Sequence, residues 1–477
     1  MTKAWYWRSL PLEKRTGSEV FAVLFRPTTV PGIATLLESP YPTPIDHPQL
    51  SRYSICAGAP RIVDGILQMW TPEVGEVLPF LEKLLQQGDK GDEVESPPAS
   101  LPFIGGWLGW LGYDVAWEIE QLPRNKIDPL PFPIAFWYEP DCFAVLDHAE
   151  QILWLAASDP SGLDELEKKL ARKDEAEDKQ RNFAVSSSPP LFLTSQADYE
   201  TAVNQVKKYI QAGDIFQANL SLRFQASTSA SGWEIYQALQ KINPSPFASY
   251  WRSPWGEIMS CSPERLILLQ NRQAQTRPIA GTRSRGATPE QDIKLAQDLL
   301  SNTKERAEHI MLVDLERNDL GRVCEWGTVA VDELLVIERY SHVMHLVSNI
   351  KGTLKGEYTT IDLIRATFPG GTITGCPKVR CMEIIEELEP LRRSLFYGSC
   401  GYLDRRGHLD LNILIRTLLL APASQAGGEF LTQHPPQNIV WGQVGAGIVA
   451  DSDPEKEWYE SLHKAQAQLA ALKMLNN

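Results

Sequence analysis

Between residues 195 and 224 the spacing of apolar side chains changes period once, and the change marks two elements. Tyr199, Val203, Val206 and Ile210 recur every three or four residues behind Ser195, and Gly213 follows them. This predicts an amphipathic helix capped by Ser195 and ended by Gly213. In IFQANLSLRF the period falls to two: Phe216, Ala218, Leu220, Leu222 and Phe224 alternate with Gln217, Asn219, Ser221 and Arg223. A strand with one apolar and one polar face is expected. Further on, Thr288-Pro289 with Gln291 has the form of a capping box, and Ser301 stands as the cap of the next helix. Asp453-Pro454 opens a last helix that runs to the C-terminus.

Upstream, short apolar runs such as QILWLAA (151–157) sit in a background rich in Trp, Gly and Pro, which predicts mixed α/β structure rich in strands. GGWLGWLGYD spaces its glycines like a membrane-helix contact motif, but it is too short to span a bilayer and reads as a bend-rich strand pair. Two polar stretches, 88–100 and 173–190, lack the apolar content to join a core and read as surface loops or linkers. The second sets the expected division: a strand-rich N-terminal domain over 1–172, a linker over 173–194 and a catalytic domain over 195–477.

Composition narrows the class of partner. Of 477 residues 43% are hydrophobic and 22% charged, as in an ordinary soluble globular protein, and the net charge is −14. So acidic a chain repels polyanions, which argues against nucleic acid or an anionic membrane as partner; an anionic substrate would need a local positive pocket. The N-terminus lacks an apolar core of signal-peptide length, and no later run reaches the roughly 18 apolar residues of a membrane span, so a cytoplasmic protein is expected. Seven scattered cysteines, without CxxC, predict free thiols.

Candidate chemistry begins with two acidic couples. Glu305 and Glu308 in ERAEHIMLVDLERND, and Glu457 and Glu460 in DPEKEWYES, are each three residues apart, which on a helix sets each couple on one face. Together they could hold Mg²⁺, a hard cation that takes carboxylate, water and substrate oxygens; solvated helix surface is the plain alternative for either couple alone. In GAGIVADS, Gly445 and Gly447 around Ala446 let backbone N–H groups approach a carboxylate, or mark only a strand bulge. Lys464 follows Glu460 by four residues, and Arg416 ends an apolar run, so both suit an anionic partner. FPGGTITGCPK fails as a phosphate loop because Cys376-Pro377 stands where Lys-Ser/Thr is required. In YSHVMHLVS, His342 and His345 are open as an acid–base group or as core histidines.

Eight ordered blocks resemble the chorismate-utilising enzymes: QANLSLRF, SPERL, RPIAGTRSRG, EHIMLVDLERNDLGR, YSHVMHLVS, FPGGTITGCPKVRCMEII, DLNILIRT and GAGIVADSDPEKEWYES. These enzymes are component I of anthranilate synthase and of aminodeoxychorismate synthase, with isochorismate and salicylate synthases as relatives. The resemblance covers roughly residues 195–470 and implies an α+β fold of antiparallel sheets flanked by helices. It implies Glu308 and Glu460 as Mg²⁺ ligands with Glu305 and Glu457 in support. It places chorismate against Gly281, Thr282, Phe396, Arg416, Gly445, Ala446, Gly447 and Lys464, with Phe396 where relatives carry Tyr or Trp. His345 matches the acid–base histidine, with Gln217 and Thr282 beside it among the catalytic positions. Relatives that add water carry a lysine in place of Gln217, because water needs a general base and ammonia does not, so amination is implied.

Two products follow from different residues. Ala280 stands where many aminodeoxychorismate synthases carry a lysine that attacks the ring, which matches the direct attack by ammonia of anthranilate synthase. Asn219, GGTITG, VRCMEIIEELEPLRR and SCGYLD resemble the aminodeoxychorismate branch, some of whose members also have PIAGT. They favour 4-amino-4-deoxychorismate as product, with anthranilate as the alternative and a non-catalytic tryptophan-binding subunit as the second. The chain carries no amidotransferase signature, so the resemblance implies ammonia from a separate glutamine amidotransferase subunit. Ser39 in LLES, and Pro246, Phe247 and Ala248, match places where relatives bind tryptophan.

Overall fold

The computed structural model of the chain describes residues 5–26, 32–39, 48–88, 100–171, 186–340, 343–425 and 438–475. Within them two antiparallel sheets flanked by helices carry an α+β fold, one sheet of twelve strands and one of ten. The larger sheet runs from Tyr6–Pro11 through Ile152–Ala157, Cys142–Asp147, Tyr53–Ala57 and Ala34–Glu38. It continues through Phe247–Ser253, Gly256–Ser262, Thr417–Pro422, Asn438–Ile448 and Gln217–Thr228 to Leu191–Phe192. Strands from both sides of segment 173–194 therefore share this sheet, joined where Ala34–Glu38 pairs with Phe247–Ser253. The smaller sheet is shared in the same way, through the pairing of Gly106–Leu111 with Ser399–Asp404. Of the expected linkers, 89–99 and 172–185 lie outside the described residues, while Leu191–Phe192 pairs with Gln217–Thr228.

Alternation along the strands feeds two cores. Leu419 and Trp441 pack between the sheets with Trp110, Phe136 and Ile267. Leu418, Leu420 and Val444 face the other way, under Tyr199, Trp233 and Trp458 of the covering helices. Helix Gln196–Gln211 follows its sequence signals: Ser195 caps it by accepting from the Asp198 N–H, and Tyr199, Val203 and Val206 are buried. Thr288 and Asp453 likewise cap helices Pro289–Ser301 and Pro454–Met474.

Three expectations change. Ser301 does not cap the next helix. Its hydroxyl turns back to the Asp298 carbonyl, and Asn302 caps helix Thr303–Gly321 by accepting from Glu305 N–H at 3.1 Å. GGWLGWLGYD supplies one strand, Gly106–Leu111, and a short 3₁₀ turn, not a strand pair. Gly109 is needed there because a Cβ would press into the neighbouring strand beneath Trp137. The polar face of Gln217–Thr228 is buried, because Glu389, Gln443 and the backbone at Arg392 and Arg393 cover Ser221 and Arg223. All seven cysteines are free thiols, and among the described residues no helix is long and apolar enough to cross a membrane.

Candidate active site

The site forms where strand Gln217–Thr228 meets strand Asn438–Ile448, with Asn219 opposite Gly447 and Ser221 opposite Gly445. On its other edge, Asn438–Ile448 is paired only as far as Gly442, so the Gln443–Ile448 backbone has no strand against it there among the described residues. Gly447 lets the sheet approach helix Thr303–Gly321: Gln217 Nε2 donates to Glu308 Oε1 at 3.0 Å, and a Cβ on Gly447 would push into that amide. Burial, and then repulsion from Glu460, holds the Glu308 carboxyl above its ordinary range against the pull of Lys464 and Gln217.

The second acidic couple enters on helix Pro454–Met474. Lys464 Nζ lies 2.8 Å from Glu460 Oε1 one helical turn away, and the two side chains remain partly open to solvent. Arg416 donates to the Lys464 carbonyl, which ties the 413–416 segment to the same helix. Its φ of 52° is left-handed, a strained setting for arginine that the segment holds beside the site. Glu457 is buried, and its Oε2 has no hydrogen-bond partner. Glu305 shares a bond with a cation of the chain, Arg283 Nη1 at 2.7 Å, while its Oε2 is also buried without a partner. As they stand, no three acidic, histidine or cysteine side chains among the described residues form a metal-holding cluster. Two of the four glutamates instead lean on Arg283 and Lys464, as unscreened carboxylates must.

On the opposite wall Gly281 makes a bulge in strand Ile279–Ser284, with φ 69°, and a Cβ there would stand 3.3 Å from Glu305 Oε2. The bulge sets Thr282 opposite His345, whose Nδ1 is 3.0 Å from Thr282 Oγ1. Burial lowers the His345 pKa to about 4, so the ring is neutral at pH 7. His342 lies outside the described residues.

The remaining arginines of RPIAGTRSRG are occupied. Arg277 pairs with Glu338, and Arg285 with Asp292 at 2.7 Å. Phe396 is buried against the Arg223 guanidinium, while its neighbour Tyr397, at φ 64°, is the residue electrostatically coupled to Arg416. Pro246, Phe247 and Ala248 line a separate cavity of about 120 Å³ with Glu38 and Asn412; Ser39 is not among its lining residues.

Two residues that sequence reading passed over lie near these groups. Lys304, four residues before Glu308, acts electrostatically on Glu308, Glu457 and Glu460. Glu264 of SPERL is buried beside Thr372 and the Ile279 backbone, with Oε1 unpartnered, and burial pushes its carboxyl up to about 8. A glutamate opening the apolar run RLILL carried the same signal that singled out Arg416.

Four glutamates, neighbouring lysines and arginines and glycine-lined backbone are thus carried by two helices and the strands beside them. The chain belongs to the chorismate-binding enzyme family, whose model matches residues 64–470. It is 60% identical over 476 residues to the "Anthranilate synthase component I-like protein" of Synechocystis, covering 99% of this chain and 92% of that one. Aminodeoxychorismate synthase component 1 of Bacillus subtilis is 42% identical over 413 residues, 82% of this chain and 84% of the relative. Among solved structures, anthranilate synthase component I of Streptococcus pneumoniae superposes with a TM-score of 0.73 at 31% identity, covering 88% of this chain and 92% of that one.

Proposed function

We propose that the chain aminates chorismate to 4-amino-4-deoxychorismate, with ammonia supplied by a glutamine amidotransferase subunit. The contact between Gln217 and Glu308 carries this reading. A neutral amide stands where a hydrating relative needs a base, and ammonia attacks without one. Arg416, Lys464 and the open edge at Gly445–Gly447 are the groups that meet the two substrate carboxylates.

The residues fit Mg²⁺. Two carboxylate oxygens, on Glu305 and Glu457, are buried and unpartnered, and Gly281 and Gly447 leave space beside Glu305 and Glu308 that a Cβ would fill. Glu308 and Glu460 would hold the ion with Glu305 and Glu457 in support; bound there, it offsets the charge of the ring carboxylate. In the reaction ammonia attacks C4 itself, so that the C4–N bond forms as the C4–O bond breaks and the hydroxyl departs. Glu264, neutral because it is buried, gives its proton to the departing hydroxyl, which leaves as water. The resulting carboxylate takes the surplus proton from the attached ammonium. Neutral His345, held by Thr282, is placed to orient the ring substituents by hydrogen bonding.

Anthranilate is the second reading, favoured by Ala280. This residue is buried and offers no nucleophile, so a single allylic displacement by ammonia would leave nitrogen at C2, and loss of pyruvate would then give the aromatic product. The 60% identity to the anthranilate synthase component I-like protein of Synechocystis also favours it; against it stand Asn219 and the other aminodeoxychorismate-like blocks, with 42% identity to the Bacillus subtilis enzyme. The cavity at Pro246, Phe247 and Ala248 is assigned to tryptophan.

Incubation with chorismate, Mg²⁺ and ammonium tests the reading. Product that a lyase converts to 4-aminobenzoate is expected. Direct anthranilate fluorescence would transfer the conclusion to the second reading, and unconsumed chorismate would overturn both.

A further inference from the structure

Helix Thr303–Gly321 brings Glu305 and Glu308 to the site, and whatever fixes the helix there decides how the two carboxylates meet an ion. Glu305 reaches Arg283 of strand Ile279–Ser284 at 2.7 Å, and Glu308 reaches Gln217 of strand Gln217–Thr228 at 3.0 Å. Both contacts use carboxylates that the Mg²⁺ reading gives to the ion, so both change when the ion binds. A fixed anchor has to come from a side chain that holds no ligand.

His309 meets that condition. It follows Glu308 directly, stands one turn beyond Glu305 and is wholly buried. Its Nε2 shares a hydrogen bond with Ser348 Oγ at 2.6 Å, while its Nδ1 has no hydrogen-bond partner, so one polar contact sets the orientation of the ring. Ser348, also wholly buried, joins its own strand, Val343–Thr353, to the chain on either side. Its N–H donates to the Pro278 carbonyl at 3.3 Å, just before strand Ile279–Ser284, and its Oγ accepts from Leu335 N–H at 3.0 Å. Leu334 and Leu335 bulge out of strand Ala330–Arg339 between the paired residues Glu333 and Val336, and Leu335 is left-handed at φ 55°. A leucine is strained in that conformation, and the hydroxyl that holds its N–H is the one that holds His309. Three residues before Ser348 on the same strand, His345 stands opposite Thr282.

We infer that His309 is a positioning residue: through Ser348 it sets the distance between the helix that carries Glu305 and Glu308 and the wall that carries Thr282 and His345. The inference rests on the Mg²⁺ and chorismate reading above, and holds for either product. A group that orients ligand-bearing structure affects metal affinity and turnover without touching ion or substrate.

Titration calorimetry with Mg²⁺ and steady-state kinetics of chorismate consumption test this in the full chain. His309→Leu, which fills the space without the bond, should weaken Mg²⁺ binding about tenfold and lower kcat at saturating Mg²⁺ by about as much. His309→Gln, whose amide reaches toward the same hydroxyl, should restore both to within about threefold of the parent. Ser348→Ala should repeat the losses of His309→Leu, and the double variant should add little to them, because both changes remove one contact. If His309→Leu does not fold, Ser348→Ala supplies the same readouts. A lowered thermal midpoint with kcat and Mg²⁺ affinity unchanged would reduce His309 to packing and overturn the inference, as would a folded His309→Gln no better than His309→Leu. A parent chain that neither binds Mg²⁺ nor consumes chorismate fails the functional reading itself, and the inference fails with it.

Discussion

Gln217 Nε2 and Glu308 Oε1 meet at 3.0 Å across a space that Gly447 keeps open. In Gly447→Ala the new Cβ displaces the tip of a flexible amide, which can swing aside. The expected result is at least a hundredfold loss of kcat with a thermal midpoint within a few degrees of the parent. Gly445→Ala differs, because its Cβ would stand 2.9 Å from Ser221 Cα and against the Leu220 carbonyl, both backbone. There the strand itself must shift, and a stability loss of about 2 kcal/mol is expected by denaturant titration. Equal midpoints for the two variants would contradict this division.

Much of this neighbourhood was legible in sequence because its determinants are local. Period-two alternation placed Gln217 and Asn219 on one strand face, caps placed three of the four helices, and the i, i+3 glutamates fell on helices as expected. Non-local partners left no mark in the spacing. Nothing near Ser221 announces that Glu389, 168 residues away, will cover it, so the polar face could not be read as buried. Ser301 and Asn302 are both competent caps; the first helix runs through Ser301, whose hydroxyl bonds back to the Asp298 carbonyl, and leaves Asn302 to cap the next. Glu264 carried the signal of a charge beside an apolar run, as Arg416 did, but its shifted carboxyl comes from burial that only the fold supplies.

Glu264 and Glu316 are buried carboxyls pushed from 4.5 up to about 8. The folded chain then keeps protons that the unfolded chain releases above pH 4.5. Stability therefore falls as pH rises from about 4.5 to about 8 and levels off beyond. Urea unfolding at pH 5 and pH 8 reads this slope. Glu264→Gln with Glu316→Gln should flatten it, and Glu264→Gln alone should abolish turnover. In the parent, turnover should fall as pH rises through about 8, where Glu264 loses its proton.

His345 should show the opposite sense. Its pKa is lowered from 6.5 to about 4 by burial, so the neutral ring favours the folded state above pH 6.5, and that contribution is lost as pH falls through about 4. Proton NMR of the ring, assigned by comparison with His345→Gln, should show no titration between pH 8 and pH 5. A midpoint near 6.5 would place the ring in water and remove its pairing with Thr282.

Arg283 and Lys464 occupy two of the glutamates proposed for Mg²⁺, at 2.7 and 2.8 Å. Each offsets the charge of a carboxylate that the ion would otherwise draw on, so removing such a cation and removing a ligand should act in opposite directions. By titration calorimetry with Mg²⁺, Arg283→Ala should bind several-fold more tightly, because Glu305 is released without loss of a carboxylate. Glu308→Ala and Glu460→Ala should each weaken binding at least tenfold and abolish turnover, and chelation of the parent by EDTA should do the same reversibly. Unchanged Mg²⁺ affinity in both glutamate variants would place the ion elsewhere, and Arg283 would then be left with only its structural bridge between Asp298 and Glu305.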